Sequence, residues 1–311
     1  MPGNVTVGLN GSPESFAAVR WAAQEAVLRE VALRIIHIQD WPVPPGHVEH
    51  VVSSSAATAA HTEPGRSPKY EDLLARAAAE AEQAHPGLSV GAENVTGVGL
   101  ASKVLLAEAE TPGGMDLLVL GSQGLNRLTG FVIGTTSLPV AAASPCPVVL
   151  VRNGGADRGE RPHRSEQPAG QLLLGIDPRE AESEAPVLDF GFTEAARRSC
   201  GLQILHAWSF PPMYAYAQAA DPGLGNELAA EIETNLERVV DPWKRRFPGV
   251  TVRTTAVAGA PGAELVYASP DADLVVVGRR ERARPVGPRL GHVAHAVIHH
   301  ATSPVAVVPH P

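Results

Sequence analysis

The chain has 311 residues, 44% hydrophobic and 19% charged, which is enough apolar material for two buried cores and too much for a disordered chain. A formal net charge of -8 excludes general affinity for nucleic acid, which needs a basic face to displace counterions. No run approaches the roughly 18 apolar residues that span a membrane, and two distant cysteines, Cys146 and Cys200, give no disulfide framework and read as packed thiols. The opening "MPGNVTVGLN" lacks the basic and apolar regions of a signal peptide, so a cytoplasmic protein is expected.

In chain order, short apolar runs alternate with longer helical stretches. The first half predicts strands at 4–9, 33–38, 89–96, 116–120 and 147–151, with helices at 13–31, 69–84, 99–111 and 135–143. Ser12 followed by Pro13 starts the first helix as a cap with proline in the first turn. Runs such as "LLVL" and "VVLV" are apolar on consecutive residues, so both faces of their strands are buried, and the β-α alternation then implies a parallel sheet with helices on each side.

The same landmarks then return in the same order. "VTVGLNGSPES" is echoed by "LLLGIDPREAE", "LRIIHIQDWPVPP" by "LQILHAWSFPP", "MDLLVLGSQG" by "ADLVVVGRRE" and "SPCPVVLVR" by "TSPVAVVPH". Asn10 thus faces Asp177, His37 faces His206 and Gly121 faces Gly278, at spacings drifting from 167 to 157 residues as loops differ in length. The organisation is one fold duplicated, with domains at 1–152 and 170–311 and a linker at 153–169 rich in Gly, Pro and charge. The fold class is α/β: two tandem doubly wound, Rossmann-like parallel-sheet domains. Ligands in such sheets sit at the carboxyl ends of the strands, beside the switch in strand order.

One stretch reaches that place with ligand-binding features. "LVLGSQGLNRLTGFVIGTTS" sets Gly121 and Gly124 just after a strand, then nine residues, then Gly134-Thr135. Glycines let the backbone turn off a strand end and approach a ligand, and Gly134, Thr135 and Thr136 are read as opening a helix whose free N–H groups suit phosphate. Asn126 and Arg127, in the segment between, add side-chain donors. Neither the dinucleotide fingerprint nor a Walker A loop is present.

This spacing, with "VGLNGS" after the first strand and "PCPVVLVR" at the end, resembles the universal stress protein family in its ATP-binding branch, over nearly all of both halves. The resemblance implies an adenine nucleotide alpha hydrolase-like fold and a stress or dormancy factor that binds ATP, with or without magnesium. By its motifs, Gly121, Gln123, Gly124, Gly134, Thr135 and Thr136 contact ribose and phosphates, and Asn10 and Ile38 contact the adenosine end. Asn10 departs from the family's usual Asp, keeping an acceptor oxygen and losing the charge. The second copy departs further: Glu281 replaces the second glycine, His292 the small hydroxyl residue, and Pro178-Arg179 the usual Gly-Ser. Weak or absent ATP binding is expected there.

Other constellations carry less. His292, His295, His299 and His300 share a helix with no carboxylate or cysteine beside them, and no metal site is assigned. No catalytic residue is assigned either; slow ATP hydrolysis is the most chemistry expected. The closing strand of each half is read as an edge whose free backbone groups pair with another copy, within one chain or between two. Segments 41–68 and 207–226 are read as loops over the ligand face. The alternatives are an ATP-independent interaction protein, a slow ATPase, and an electron carrier of flavoprotein type.

Overall fold

A computed structural model describes residues 3–41, 68–98, 100–111, 115–122, 135–152, 170–209, 222–281 and 290–311. The first half runs β1 (Asn4–Gly8), α1 (Pro13–Arg29), β2 (Ala32–Trp41), α2 (Pro68–Ala84), β3 (Val90–Val98), α3 (Ala101–Glu110), β4 (Leu117–Ser122), α4 (Ser137–Ala143) and β5 (Val148–Arg152). The second repeats it: β6 (Gln171–Gly175), α5 (Ala185–Arg198), β7 (Gly201–Trp208), α6 (Pro222–Arg246), β8 (Val252–Ala258), α7 (Pro261–Ala268), β9 (Leu274–Arg280), α8 (His292–His300) and β10 (Val305–His310).

The ten described strands form one sheet in the order β3-β2-β1-β4-β5-β10-β9-β6-β7-β8. Every pairing is parallel except that of β5 with β10. Each half is therefore doubly wound, with its strand order switching between β1 and β4 and again between β6 and β9. The closing strands, edges within their own halves, lie inside the joined sheet because each satisfies the other. Val305 pairs Leu150 and Val307 pairs Val148, and exchanging the repeats at a spacing of 157 turns one pair into the other, so the junction is an approximate two-fold.

Consecutive apolar residues in the strands divide between two cores, one on each face. Leu117 and Val119 join α1 and α2 on one side, while Leu118 and Leu120 join α3 and α4 on the other. Both cores run through the two halves. The helix ends also have local causes: Ser12 accepts from the Ser15 N–H at the start of α1, and Glu30, in the left-handed region at φ 55°, stops it.

Several boundaries differ from expectation, among them those of β2, which runs to Trp41, and α2, which begins at Pro68, so both ends of the loop expected at 41–68 belong to elements. α4 begins at Ser137, so Thr135 and Thr136 belong to the preceding turn, and Thr136 makes no side-chain cap. Residues 222–226 are helical and lengthen α6 to 25 residues, against 17 in α2. Residues 207 and 208 close β7, so the loop expected to begin there starts later.

Where α1 meets α5, charge is buried at the junction. Arg29 donates to Glu25 at 2.5 Å and to Glu194 at 2.6 Å, and Arg198 pairs with Glu25. A spacing of 169 relates Glu25 to Glu194 and Arg29 to Arg198, so the cross-pairs are two-fold copies of each other. The two carboxylates titrate differently. Burial raises both, but Arg198 and Arg29 outweigh it at Glu25 and hold that group below the usual carboxylate range, while burial and the Glu25 charge push Glu194 up to about 7.

Candidate functional site

The strand register assembles the first-half crevice. Gly8 pairs with Ile36 on one side and Leu120 on the other, which brings the residues just beyond, Asn10, Ile38 and Gly121, to the carboxyl ends of three adjacent strands. Ser137 Oγ donates to the Gly121 carbonyl at 2.9 Å, fastening the start of α4 and the Thr135–Thr136 turn to the end of β4. Gln123, Gly124, Asn126, Arg127 and Gly134 lie outside the described residues.

Gly121 has a packing role that the motif does not announce. A Cβ there would lie 2.6 Å from the carbonyl carbon of Glu14 and 2.7 Å from the Ser15 nitrogen, so β4 passes directly against the first turn of α1. At Gly278 the neighbours are side chains instead, with His310 at 3.0 Å and Val187 at 3.2 Å.

The repeated polar residues also have repeated local work. Asn10 Oδ1 accepts from the Ser12 N–H at 3.0 Å, and Asp177 Oδ1 accepts from the Arg179 N–H at 3.0 Å, the same side-chain turn in both halves. His37 Nδ1 lies 2.7 Å from the Leu9 carbonyl, and His206 Nδ1 lies 3.0 Å from that of Ile176. A carbonyl only accepts, so Nδ1 carries the proton and Nε2 is left as an acceptor in the neutral ring. The His37 ring further stacks on Tyr70, with centroids 4.4 Å apart.

At the matching place in the second half is a cavity of about 850 Å³. It opens at the carboxyl ends of β6, β7 and β9 and is bounded by the N-terminal part of α6, from Glu227 to Asn235. Leu205, Val277, Leu265, Val293, Leu228 and Ile232 give it apolar walls; Asp177, Glu184, Glu227 and Glu231 supply carboxylates, with His206 and His292 nearby. Burial pushes Glu184 up to about 7, helped by the Asp177 and Glu180 charges and opposed by the Asp177 N–H, which donates to it at 2.8 Å. Burial acts on Asp177 in the same sense, yet its bonds with Arg179 outweigh it and hold that carboxyl below its usual range. The repeat pattern offered no sign of Glu184, Glu231 or Asn235: the first follows a two-residue insertion after β6, and the others belong to a helix whose length differs between copies.

The histidine helix is partly committed to packing. His292 borders the cavity, while the His295 and His299 rings sit 4.2 Å apart. Burial, followed by the neighbouring His295, His300 and Arg152 charges, lowers the His299 pKa and favours its neutral form. Among the described residues no three His, Cys, Asp or Glu side chains are grouped to hold a metal. Burial also raises both thiols, Cys146 beside Ser144 and Cys200 at the core, away from the reactive thiolate. Among the described residues no helix is long and apolar enough to cross a membrane.

Comparison with known proteins agrees with this architecture. Residues 1–152 and 170–309 each match the model of the universal stress protein family. Universal stress protein Rv1996 of Mycobacterium tuberculosis is 30% identical over 97% of this chain and 94% of its own length. The crystal structure of a universal stress protein from Archaeoglobus fulgidus covers 99% of both chains with a TM-score of 0.65 at 15% identity, which is a likeness of fold. A universal stress protein crystallised in complex with cAMP matches 46% of this chain and 100% of its own, at 26% identity and a TM-score of 0.33.

Proposed function

The chain belongs to the universal stress protein family, and from that premise we propose that it binds an adenine nucleotide, ATP with or without magnesium, in its first half. It acts by occupancy, as a cytoplasmic stress or dormancy factor read by a protein partner. The observation that carries this reading is the convergence of Asn10, Ile38, Gly121 and the Thr135–Thr136 turn at the first switch point, under the strand register and the Ser137–Gly121 bond. Gln123, Gly124, Asn126, Arg127 and Gly134 complete the proposed ligand set from the sequence.

Calorimetry on stripped protein, with identification of nucleotide released from the freshly purified chain, tests the proposal. About one ATP per chain, lost in Gly124→Ala, is expected; absence of both retained nucleotide and binding heat would sink it. Assembly of two chains is a further part of the reading. Because β5 and β10 already pair with each other, chain-to-chain contact must use other surfaces, such as the outer strands β3 and β8. Sedimentation at micromolar concentration that returns only single chains would remove that part.

A further inference from the structure

We infer that the second-half cavity is a site for an organic cation with an apolar ring body, rather than for a phosphorylated nucleotide. This stands apart from the nucleotide reading of the first half, and either can fail alone. The volume of about 850 Å³ is in the range of small-molecule sites, and its aliphatic walls suit an apolar ring system. Its polar groups are mostly acceptors. Glu227 and Glu231 present exposed carboxyls, Asp177 shares its carboxylate with Arg179, Glu184 accepts the Asp177 N–H, and His206, only 6% exposed, gives its Nδ1 proton to the Ile176 carbonyl.

The described arginines around the cavity are already committed. Arg179 is bound to Asp177 through two nitrogens, at 3.0 and 2.7 Å, and its side chain is 79% exposed. Arg280 pairs with Glu180. Arg279 donates to the Ser144 carbonyl of the other half at 2.6 Å and has Glu281 at 3.7 Å. A polyphosphate entering here would meet carboxylates and, among the described residues, no uncommitted guanidinium to offset them, whereas a protonated amine on an apolar ring would be held by the exposed Glu227 and Glu231 carboxylates of α6. Arg282, Arg284 and Arg289 follow β9 in the sequence, outside the described residues, and the ATP arm of the test measures what they add.

The experiment is a fluorescence titration of the stripped full-length chain with proflavine, a flat aromatic cation, and a parallel calorimetric titration with MgATP. Two variants identify the site. Ile232→Trp fills the cavity from α6, and Asp177→Asn with Glu231→Gln removes two charges while Asn keeps the turn that Asn10 makes in the first half. Proflavine is expected to bind at low salt, tenfold or more weaker in the charge variant and lost in Ile232→Trp, with MgATP binding unchanged by the filling. If Ile232→Trp fails to fold, the charge variant decides alone. Proflavine binding that is absent, or indifferent to the charge variant, overturns the inference, as does MgATP binding abolished by a folded Ile232→Trp.

Discussion

Asn10 and Asp177 make the same turn at the end of the same strand in the two halves, yet the space beyond them differs. In the first half the neighbouring strand end is a glycine pressed against α1, and the residue that starts the turn is uncharged. In the second, a two-residue insertion precedes Glu184, which lines the crevice, and a helix longer by eight residues than its counterpart bounds a cavity with aliphatic walls and four carboxyl groups. Duplication preserved the backbone frame, meaning strand register, side-chain turn and histidine-to-carbonyl bond, and left the face at the carboxyl ends of the strands to diverge. Packing constrains the frame from every side, and solvent constrains the face from only one.

The junction between the halves gives the largest expected effect. Glu25 and Glu194 are two-fold counterparts, but Glu25 is held ionised by Arg198 and Arg29 while Glu194 is pushed toward its neutral form. Glu25→Gln leaves two buried guanidinium groups short of a charge and should cost about 3 kcal/mol of stability in urea unfolding, whereas Glu194→Gln should cost about 1 kcal/mol or less. Equal costs would mean that the two carboxylates are equivalent and the asymmetry unreal. Next comes the glycine pair. Gly121→Ala drives a Cβ into the backbone of Glu14 and Ser15 and should cost about 3 kcal/mol, while Gly278→Ala meets side chains that can shift and should cost about 1 kcal/mol. The reverse order would show that Gly121 is free to serve the ligand alone.

The glycine pair also shows what sequence reasoning reaches. Duplication and the mostly parallel α/β architecture were legible because consecutive apolar runs and repeated landmarks encode burial on two faces. The packing of Gly121 was not, since a glycine at a strand end looks the same whether a ligand or a helix presses on it. Glu25, Arg29, Glu194 and Arg198 look like ordinary helix charges until two helices distant in sequence are brought together. Thr135 and Thr136 resemble the start of a helix, yet the Ser137 bond to the Gly121 carbonyl sets the boundary.

Titration should separate the halves more gently. Glu184 has its carboxyl raised from 4.5 to about 7 in the folded chain, and its counterpart at the 169 spacing, Ser15, does not titrate. The folded state then binds the proton more tightly than the unfolded, so this group's contribution is full below 4.5 and is lost as pH rises through about 7. Glu184→Gln should flatten that slope. Relative to the parent, the variant should gain about 1–2 kcal/mol between pH 4.5 and 7, after discounting for its partly open position. Parallel stability curves for the two proteins would show that burial does not raise this carboxyl.

The smallest effect falls on the turn residues. Asp can accept the Ser12 N–H as Asn does, since Asp177 makes the equivalent bond, so Asn10→Asp should leave stability within about 0.5 kcal/mol. What it changes is the charge facing the proposed ribose. A carboxylate there accepts from sugar hydroxyls more strongly than an amide does, and it repels the phosphates at longer range. Hydrogen bonding falls off more steeply with distance than screened charge, so the local gain should prevail and ATP should bind several-fold more tightly, with adenosine improved further because it lacks the opposing phosphates. Calorimetry with both ligands checks the sign. Unchanged affinity for each would confine Asn10 to its turn, and a loss for both would move the sugar away from the end of β1.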